Sequence, residues 1–244
     1  MSPGSPLAAL VAAGGREELV RDVLASGSDL NAYWVDEDIG KLTPLQVAAF
    51  IANETLVRLF LQEGANVNSP ARGQGGFTAL QAICGWSPAT EEEHRRKMRI
   101  CRLLLEKGAV VNVSNTQRRV TALALAAEAG DLELARLLLG QGAVINALSG
   151  TGTALDEAAY SGRLDMVKFL LNSNALSSTP GANGYVGAIS IAERSGYLAV
   201  ADLIRQRAAE VEAGTFFNPE LWKQQNDRRF DESNQESSSD DDFL

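Results

Sequence analysis

The stretch Thr43-Pro44-Leu45-Gln46-Val47-Ala48-Ala49, followed by Leu56, Val57, Leu59, Phe60, Leu61 and then Gly64, decides how this chain is read. Proline suits the first helical position, because its missing N–H would have no partner there and its φ is already helical. Thr43, just before it, can accept a bond from a free backbone N–H. Leu45 supplies a large apolar knob, while Ala48 and Ala49 are small enough to let a neighbouring helix come close. The run from Leu56 to Leu61 reads as a second amphipathic helix, stopped at Gly64 in a left-handed cap.

The pattern returns. Thr78-Ala79-Leu80-Gln81-Ala82-Ile83-Cys84 leads to Leu103-Leu104-Leu105 and Gly108-Ala109. Thr121-Ala122-Leu123-Ala124-Leu125-Ala126-Ala127 leads to Leu137-Leu138-Leu139 and Gly142-Ala143. Thr153-Ala154-Leu155-Asp156-Glu157-Ala158-Ala159 leads to Phe169-Leu170-Leu171 and Asn174-Ala175. The anchors Leu45, Leu80, Leu123, Leu155 and Ile189 are 35, 43, 32 and 34 residues apart. An apolar residue followed by asparagine recurs as Leu30-Asn31, Val67-Asn68, Val111-Asn112 and Ile145-Asn146. Over residues from about Ser5 to about Arg207 the sequence resembles the ankyrin-repeat family, whose units of about 33 residues carry two short helices and a turn. Its Thr-Ala-Leu-Gln-Ala units resemble arrays in large filamentous-fungal proteins. The resemblance implies an all-α solenoid of about six helix-turn-helix units with finger loops, closed by a short C-terminal capping helix. The expected division is a repeat domain over 1–213, a capping segment over 214–230 and a disordered acidic tail over 231–244.

Bulk properties narrow the function. The net charge is −9, but residues 210–244 alone hold ten acids and three bases, leaving the repeats close to neutral. A nucleic-acid binder needs a basic stripe, which this distribution does not supply. No apolar run is long enough to span a bilayer, and no basic segment precedes the short apolar stretch after Met1. The two cysteines, Cys84 and Cys101, fall on core positions of the repeat and read as reduced thiols. These features favour the cytoplasm, with the nucleus as the alternative. Initiating Met1 and the terminal tail favour a free-standing monomer.

Departures from the repeat carry the rest. The first unit is polar where an internal unit would be apolar, as a capping unit should be. Its finger, Tyr33-Trp34-Val35-Asp36-Glu37-Asp38, is the longest of the first four; Trp34 is read either as pinned on its own loop or as a contact residue. Nine extra residues separate the helices of the third unit, around Gly85-Trp86-Ser87-Pro88-Ala89-Thr90. Thr90 and Glu93 then form a capping box opening a lengthened second helix. Arg95, Arg96, Lys97, Arg99 and Arg102 on that helix read as a solvated outer face, with a nuclear import signal as the other reading. His94, the sole histidine, has no evident ligand partners. The histidine that the family places after Thr-Pro-Leu is absent; its slot holds Gln46, Gln81, Ala124, Asp156 and Ser190. Glutamine can do part of its loop-tying and alanine cannot, so stability below that of an idealised array is expected. Phe216, Phe217 and Trp222 either seal the last repeat or form a linear motif. Ser237, Ser238 and Ser239, each with an acid three residues on, are candidate phosphorylation sites.

No catalytic constellation, metal-ligand cluster or phosphate loop is found, so neither an enzyme nor a cofactor is expected. What the resemblance implies instead is binding of another protein, as a helix or extended peptide, along the concave helix face and fingers. The residues it implies for contact are Trp34, Leu42, Phe50, Ile51, Phe77, Trp86, Tyr160 and Tyr185. The expected role is an interaction module or adaptor; the alternative is a recognition segment of, or inhibitory subunit for, a larger signalling protein.

Overall fold

Threonine, glutamine and asparagine side chains at repeated positions hold the architecture, which the computed structural model describes over residues 16–36, 40–70, 77–113, 120–150, 152–176 and 185–214, with residues 11 and 14. The elements are α1 (Glu17–Ala25), β1 (Trp34–Asp36), β2 (Gly40–Leu42), α2 (Pro44–Phe50), α3 (Glu54–Gln62), α4 (Ala79–Cys84), α5 (Glu91–Glu106), α6 (Ala122–Ala129), α7 (Leu132–Gly140), α8 (Ala154–Tyr160), α9 (Leu164–Asn172), α10 (Val186–Arg194) and α11 (Leu198–Glu212). The first helices of successive units, α2, α4, α6, α8 and α10, pack side by side in one row. Each packs on the second helix of its own unit: α3, α5, α7, α9 and α11. The core runs continuously from Val20 to Ala208. Ala48, Ala49, Ala126, Ala127, Ala158 and Ala159 are fully buried, so the small pair does let inner helices approach closely. The expected all-α solenoid is therefore observed. No described helix is long and apolar enough to cross a membrane.

Each inner helix from α2 to α8 starts the same way. Thr43, Thr78, Thr121 and Thr153 accept from the backbone N–H of Gln46, Gln81, Ala124 and Asp156. Three of those residues answer: Gln46 Oε1 accepts from Thr43 N at 2.7 Å, Gln81 Oε1 from Thr78 N at 3.0 Å, and Asp156 Oδ2 from Thr153 N at 2.8 Å. The amide nitrogens then reach the next loop. Gln46 Nε2 donates to Ser69 O at 2.9 Å, and Gln81 Nε2 to Val113 O at 2.9 Å and Val120 O at 2.6 Å. Ala124 has no side-chain group to continue the series.

The outer helices end alike. Gly64, Gly108, Gly142 and Asn174 all have positive φ, at 88°, 85°, 86° and 61°. The following Ala65, Ala109, Ala143 and Ala175 donate to carbonyls of Phe60, Leu104, Leu138 and Leu170, each at 2.9 Å. Asn174 thus takes the glycine's conformation, as its tolerance of the left-handed region allows. Beyond these caps the repeated asparagines link units. Asn31, Asn68, Asn112 and Asn146 accept from the backbone N–H of Asn66, Val110, Val144 and Leu176 in the next unit. Asn68 and Asn112 also donate to Gly108 O and Gly142 O.

The insertion lies where expected. It precedes α5, which is 16 residues long against 9 for α3 and opens on the Thr90–Glu93 capping box. The first finger departs from a plain loop: β1 and β2 pair antiparallel, with Trp34 opposite Leu42. Two turn contacts repeat along the stack. Arg163 lies over Gly130 and Tyr197 over Gly162, where a Cβ would sit 2.4 Å from the Tyr197 ring. The expected capping helix, Phe216, Phe217 and Trp222, and the tail serines Ser237, Ser238 and Ser239 lie outside the described residues.

Gln81→Ala removes half of a capping box and both bonds to the next loop inside a buried site. It should lower unfolding free energy in urea by about 2 kcal/mol, since backbone groups lose their partners out of reach of water.

Candidate functional site

On α6, α8 and α10, counted from the anchors Leu123, Leu155 and Ile189, the residues two and five positions on lie on the open side of the row. Those positions hold Leu125 and Glu128 on α6, Glu157 and Tyr160 on α8, and Ile191 and Arg194 on α10. With Phe77 and Val120 they line an open groove of about 990 Å³. Its floor is apolar at both ends: Leu125 and Ile191 are half-buried against the core, as is Phe77 at its side, with Glu157 between the first two. Tyr160 stands above that floor and is 63% exposed. Asp156, which also lines the groove, is 1% exposed and holds the start of α8. It is a structural carboxylate.

The eight residues expected to make contacts do not share one fate. Phe77 and Tyr160 come together in the groove. Phe50 is exposed at the equivalent position of α2. Ile51, one residue on, is half-buried and lines a separate small hollow with Asn53, Glu54 and Arg96. Trp86 is half-buried and packs on the core. Two expectations are corrected. Leu42 is 2% exposed and Tyr185 is 4% exposed, so neither side chain is open to a partner as the fold stands. Leu42 closes the first finger over the core beside α2, and Tyr185 sits under the start of α10. Burial raises the Tyr185 phenol pKa, against the opposing charge of Arg207. Trp34 is placed by its backbone in β1; its side chain lies outside the described residues. Leu125, Glu128, Ile191 and Arg194 were not among the expected contacts, which were apolar or aromatic residues just before a helix start or just after its alanine pair: Leu125 and Ile191 fall between those slots, and Glu128 and Arg194 are charged.

A second group of polar residues lies between α5 and α7. Lys97 is fully buried, with its Nζ 3.2 Å from Asp131 Oδ2. Asp131 Oδ1 accepts from Leu134 N at 3.0 Å and so caps α7. His94 is not isolated: its Nδ1 lies 3.7 Å from Asp131 and its Nε2 3.4 Å from Glu133, which also accepts from Arg102. Beneath this cluster, Cys84 and Cys101 are free and fully buried. Hydrogen bonding to Cys101 and burial hold the Cys84 thiol pKa well above its ordinary value, although Lys97 pulls it the other way. A thiol held in that form is a poor nucleophile. No group of three or more His, Cys, Asp or Glu side chains among the described residues could hold a metal ion.

The cationic face of α5 is largely satisfied by its neighbours. Arg99 pairs with Glu54 and Glu92, Arg102 with Glu133, and Arg95 with Glu91 and Glu92. Burial alone would raise the Glu54 pKa, but hydrogen bonds from Arg58 and Arg99 outweigh it and the net shift is downward.

Comparison with known proteins gives a consistent result. A family model described as ankyrin repeats in three copies matches residues 89–179, and one described as a single ankyrin repeat matches residues 41–72. The chain is 46% identical over 66 residues to human ankyrin repeat and SOCS box protein 18, covering 27% of this chain and 14% of that protein. It is 34% identical over 124 residues to the Ornithorhynchus anatinus ankyrin repeat, SAM and basic leucine zipper domain-containing protein 1, covering 51% and 23%. It is 38% identical over 114 residues to Mus musculus ankyrin repeat and SOCS box protein 16, covering 46% and 24%. The matched stretches thus span at most about a quarter of these relatives.

Two stability measurements check these assignments. Asp131→Ala leaves the Lys97 ammonium buried without its counter-charge and removes a helix cap, and should cost about 3 kcal/mol or more in urea denaturation; adding Lys97→Met should restore more than half of that. Tyr160→Ala should change stability by less than about 0.5 kcal/mol, whereas Tyr185→Ala should cost about 3 kcal/mol through lost packing.

Proposed function

The chain belongs to the ankyrin-repeat proteins, whose repeats are protein–protein interaction modules, and on that premise we propose that it binds another polypeptide along the groove of its inner helices. The observation that carries this reading is Tyr160. It is 63% exposed at the centre of a groove with an apolar floor, while the alanines one and two residues before it are fully buried. A large aromatic ring kept in water beside Leu125 and Ile191 is what a partner's side chain can cover, and buried aromatic anchors dominate binding energy at such interfaces. The occupant is a helix or an extended segment, both of which present apolar side chains at spacings a groove can select.

On this reading the protein is an adaptor or inhibitor that positions or blocks its partner as a monomer, in the cytoplasm or the nucleus. It needs neither a cofactor nor catalysis. The groove does not suit a polyphosphate: Glu128 and Glu157 line it and repel anions, against Arg194 alone on α10. Phe50, on the same row but nearer the N-terminal end, extends the contact surface. The proposed repeat domain over 1–213 takes in α11, and nearly all of the proposed cap and acidic tail, 214–230 and 231–244, lies outside the described residues.

A second reading is favoured by the extent of the matches. The chain spans about a quarter or less of its curated relatives, whose names pair ankyrin repeats with a SOCS box or with SAM and leucine zipper segments. By that comparison, the array is the recognition segment of a larger signalling protein.

The test is affinity capture from native extract with the full chain and its Phe77→Ala/Tyr160→Ala variant, both checked by circular dichroism. A specific partner should be retained by the wild type and drop at least tenfold with the variant, while helical content stays the same. Equal retention would place the interface elsewhere.

A further inference from the structure

Two opposite charges with no ion pair among the described residues flank the exposed ring. Glu128 follows α6's anchor Leu123 by five residues, Tyr160 follows Leu155 by five and Arg194 follows Ile189 by five, so the three occupy one row across adjacent inner helices. All three line the groove. Many exposed charges elsewhere are paired: Glu54 with Arg58 and Arg99, Arg102 with Glu133, Arg205 with Asp202 and Glu193. The Glu128 carboxylate makes no hydrogen bond or ion pair among the described residues, and only its main-chain carbonyl is engaged, by Arg163 Nε at 2.9 Å. Arg194 Nε donates to Ser190 O at 3.3 Å, which fixes the base of the guanidinium, while its two Nη atoms reach no described acceptor. The groove therefore presents an acid, an aromatic and a base in sequence along the direction α6, α8, α10.

Resting on the groove-binding reading above, we infer that the occupant is a bipolar peptide segment: it carries a cationic side chain against Glu128, an apolar side chain against Tyr160 and Leu125, and a carboxylate against Arg194. The segment lies across α6, α8 and α10 in that one direction. A uniformly basic segment would meet Arg194 with like charge, and a uniformly acidic one would meet Glu128 likewise. A reversed segment would make both errors at once. Rim charges of this kind select partner and orientation more than they add affinity, whereas the apolar contact at Tyr160 supplies the affinity.

The experiment uses the full chain. A phage-displayed library of random peptides is selected on the wild type, and clones that also bind Tyr160→Ala are removed. The survivors are synthesised and their affinities measured by fluorescence anisotropy at low salt against wild type, Glu128→Lys, Arg194→Glu and the double variant. The survivors should carry Lys or Arg, then an apolar residue, then Asp or Glu, in a fixed order. Each single reversal should weaken binding about five- to tenfold at low salt, with the loss shrinking as salt rises. The double variant should prefer charge-exchanged peptides. Tyr160-dependent clones with no charge order, or with affinities indifferent to both reversals, would overturn the bipolar segment and leave groove binding standing. Absence of any Tyr160-dependent clone would overturn both. So would a groove already filled by a second copy, seen as a dimer in sedimentation that Tyr160→Ala dissolves.

Discussion

A pair of short helices cannot bury its own apolar face, and this constraint shapes the whole molecule. α2 and α3 together are only 16 residues, yet Leu45, Val47, Leu56, Val57, Leu59 and Phe60 are all nearly inaccessible to water. Neighbouring units supply the missing cover, so each unit is stable only as part of a stack. The close approach this needs is met by alanine on the inner helices. Small residues there bring the inner row together, and on α6, α8 and α10 the larger side chains two and five residues past each anchor are left on the open side. The groove is therefore a by-product of the packing that stabilises the fold.

Stacking by apolar contact alone would leave the polar backbone of the connecting turns unpaired, and side chains at fixed positions supply the partners. Gln46 and Gln81 tie helix starts to the following loops, while Asn31, Asn68, Asn112 and Asn146 tie each turn to the next. The third and fourth units are joined differently. Besides the Gln81 tie, the lengthened α5 brings Lys97 to Asp131 and His94 between Asp131 and Glu133. A buried ion pair adds little net stability against an apolar equivalent, yet it penalises any arrangement that separates the two charges. Here it fixes α5 against the cap of α7, at the same joint that Gln81 ties through Val113 and Val120.

The helices, their caps and the core were legible in the sequence because they rest on local chemistry repeated in order. Thr43, Thr78, Thr121 and Thr153 announced helix starts, Gly64 and its equivalents announced ends, and Thr90 with Glu93 announced the start of the long helix. Even the substitution of Asn174 for glycine could be read, since only the φ it adopts matters. Non-local chemistry could not be read. Lys97 resembled a member of a solvated basic face, and nothing in its neighbours along the chain showed that Asp131, more than thirty residues away, would meet it inside. The ion pairs of His94 could not be read for the same reason, since Asp131 and Glu133 lie at the start of α7. The hairpin of the first finger was hidden because three residues per strand give too short an alternation to distinguish from a loop.

Tyr160 and Tyr185 show why residue type is a poor guide to this surface. Both are tyrosines close to an inner helix, and both looked like contacts. Tyr160 closes α8 five residues after its anchor, and the next inner helix passes beside it without covering the ring. Tyr185 precedes α10, at the level where the threonines of other units cap their helices, and that level is sealed between neighbouring units. Helical phase therefore decides which of two identical rings meets water. The same rule brings Glu128 and Arg194 into view beside Tyr160, although neither is aromatic nor apolar. In a stacked repeat, a binding surface is found by fixing the register from buried anchors and then asking what stands at the positions the packing leaves open.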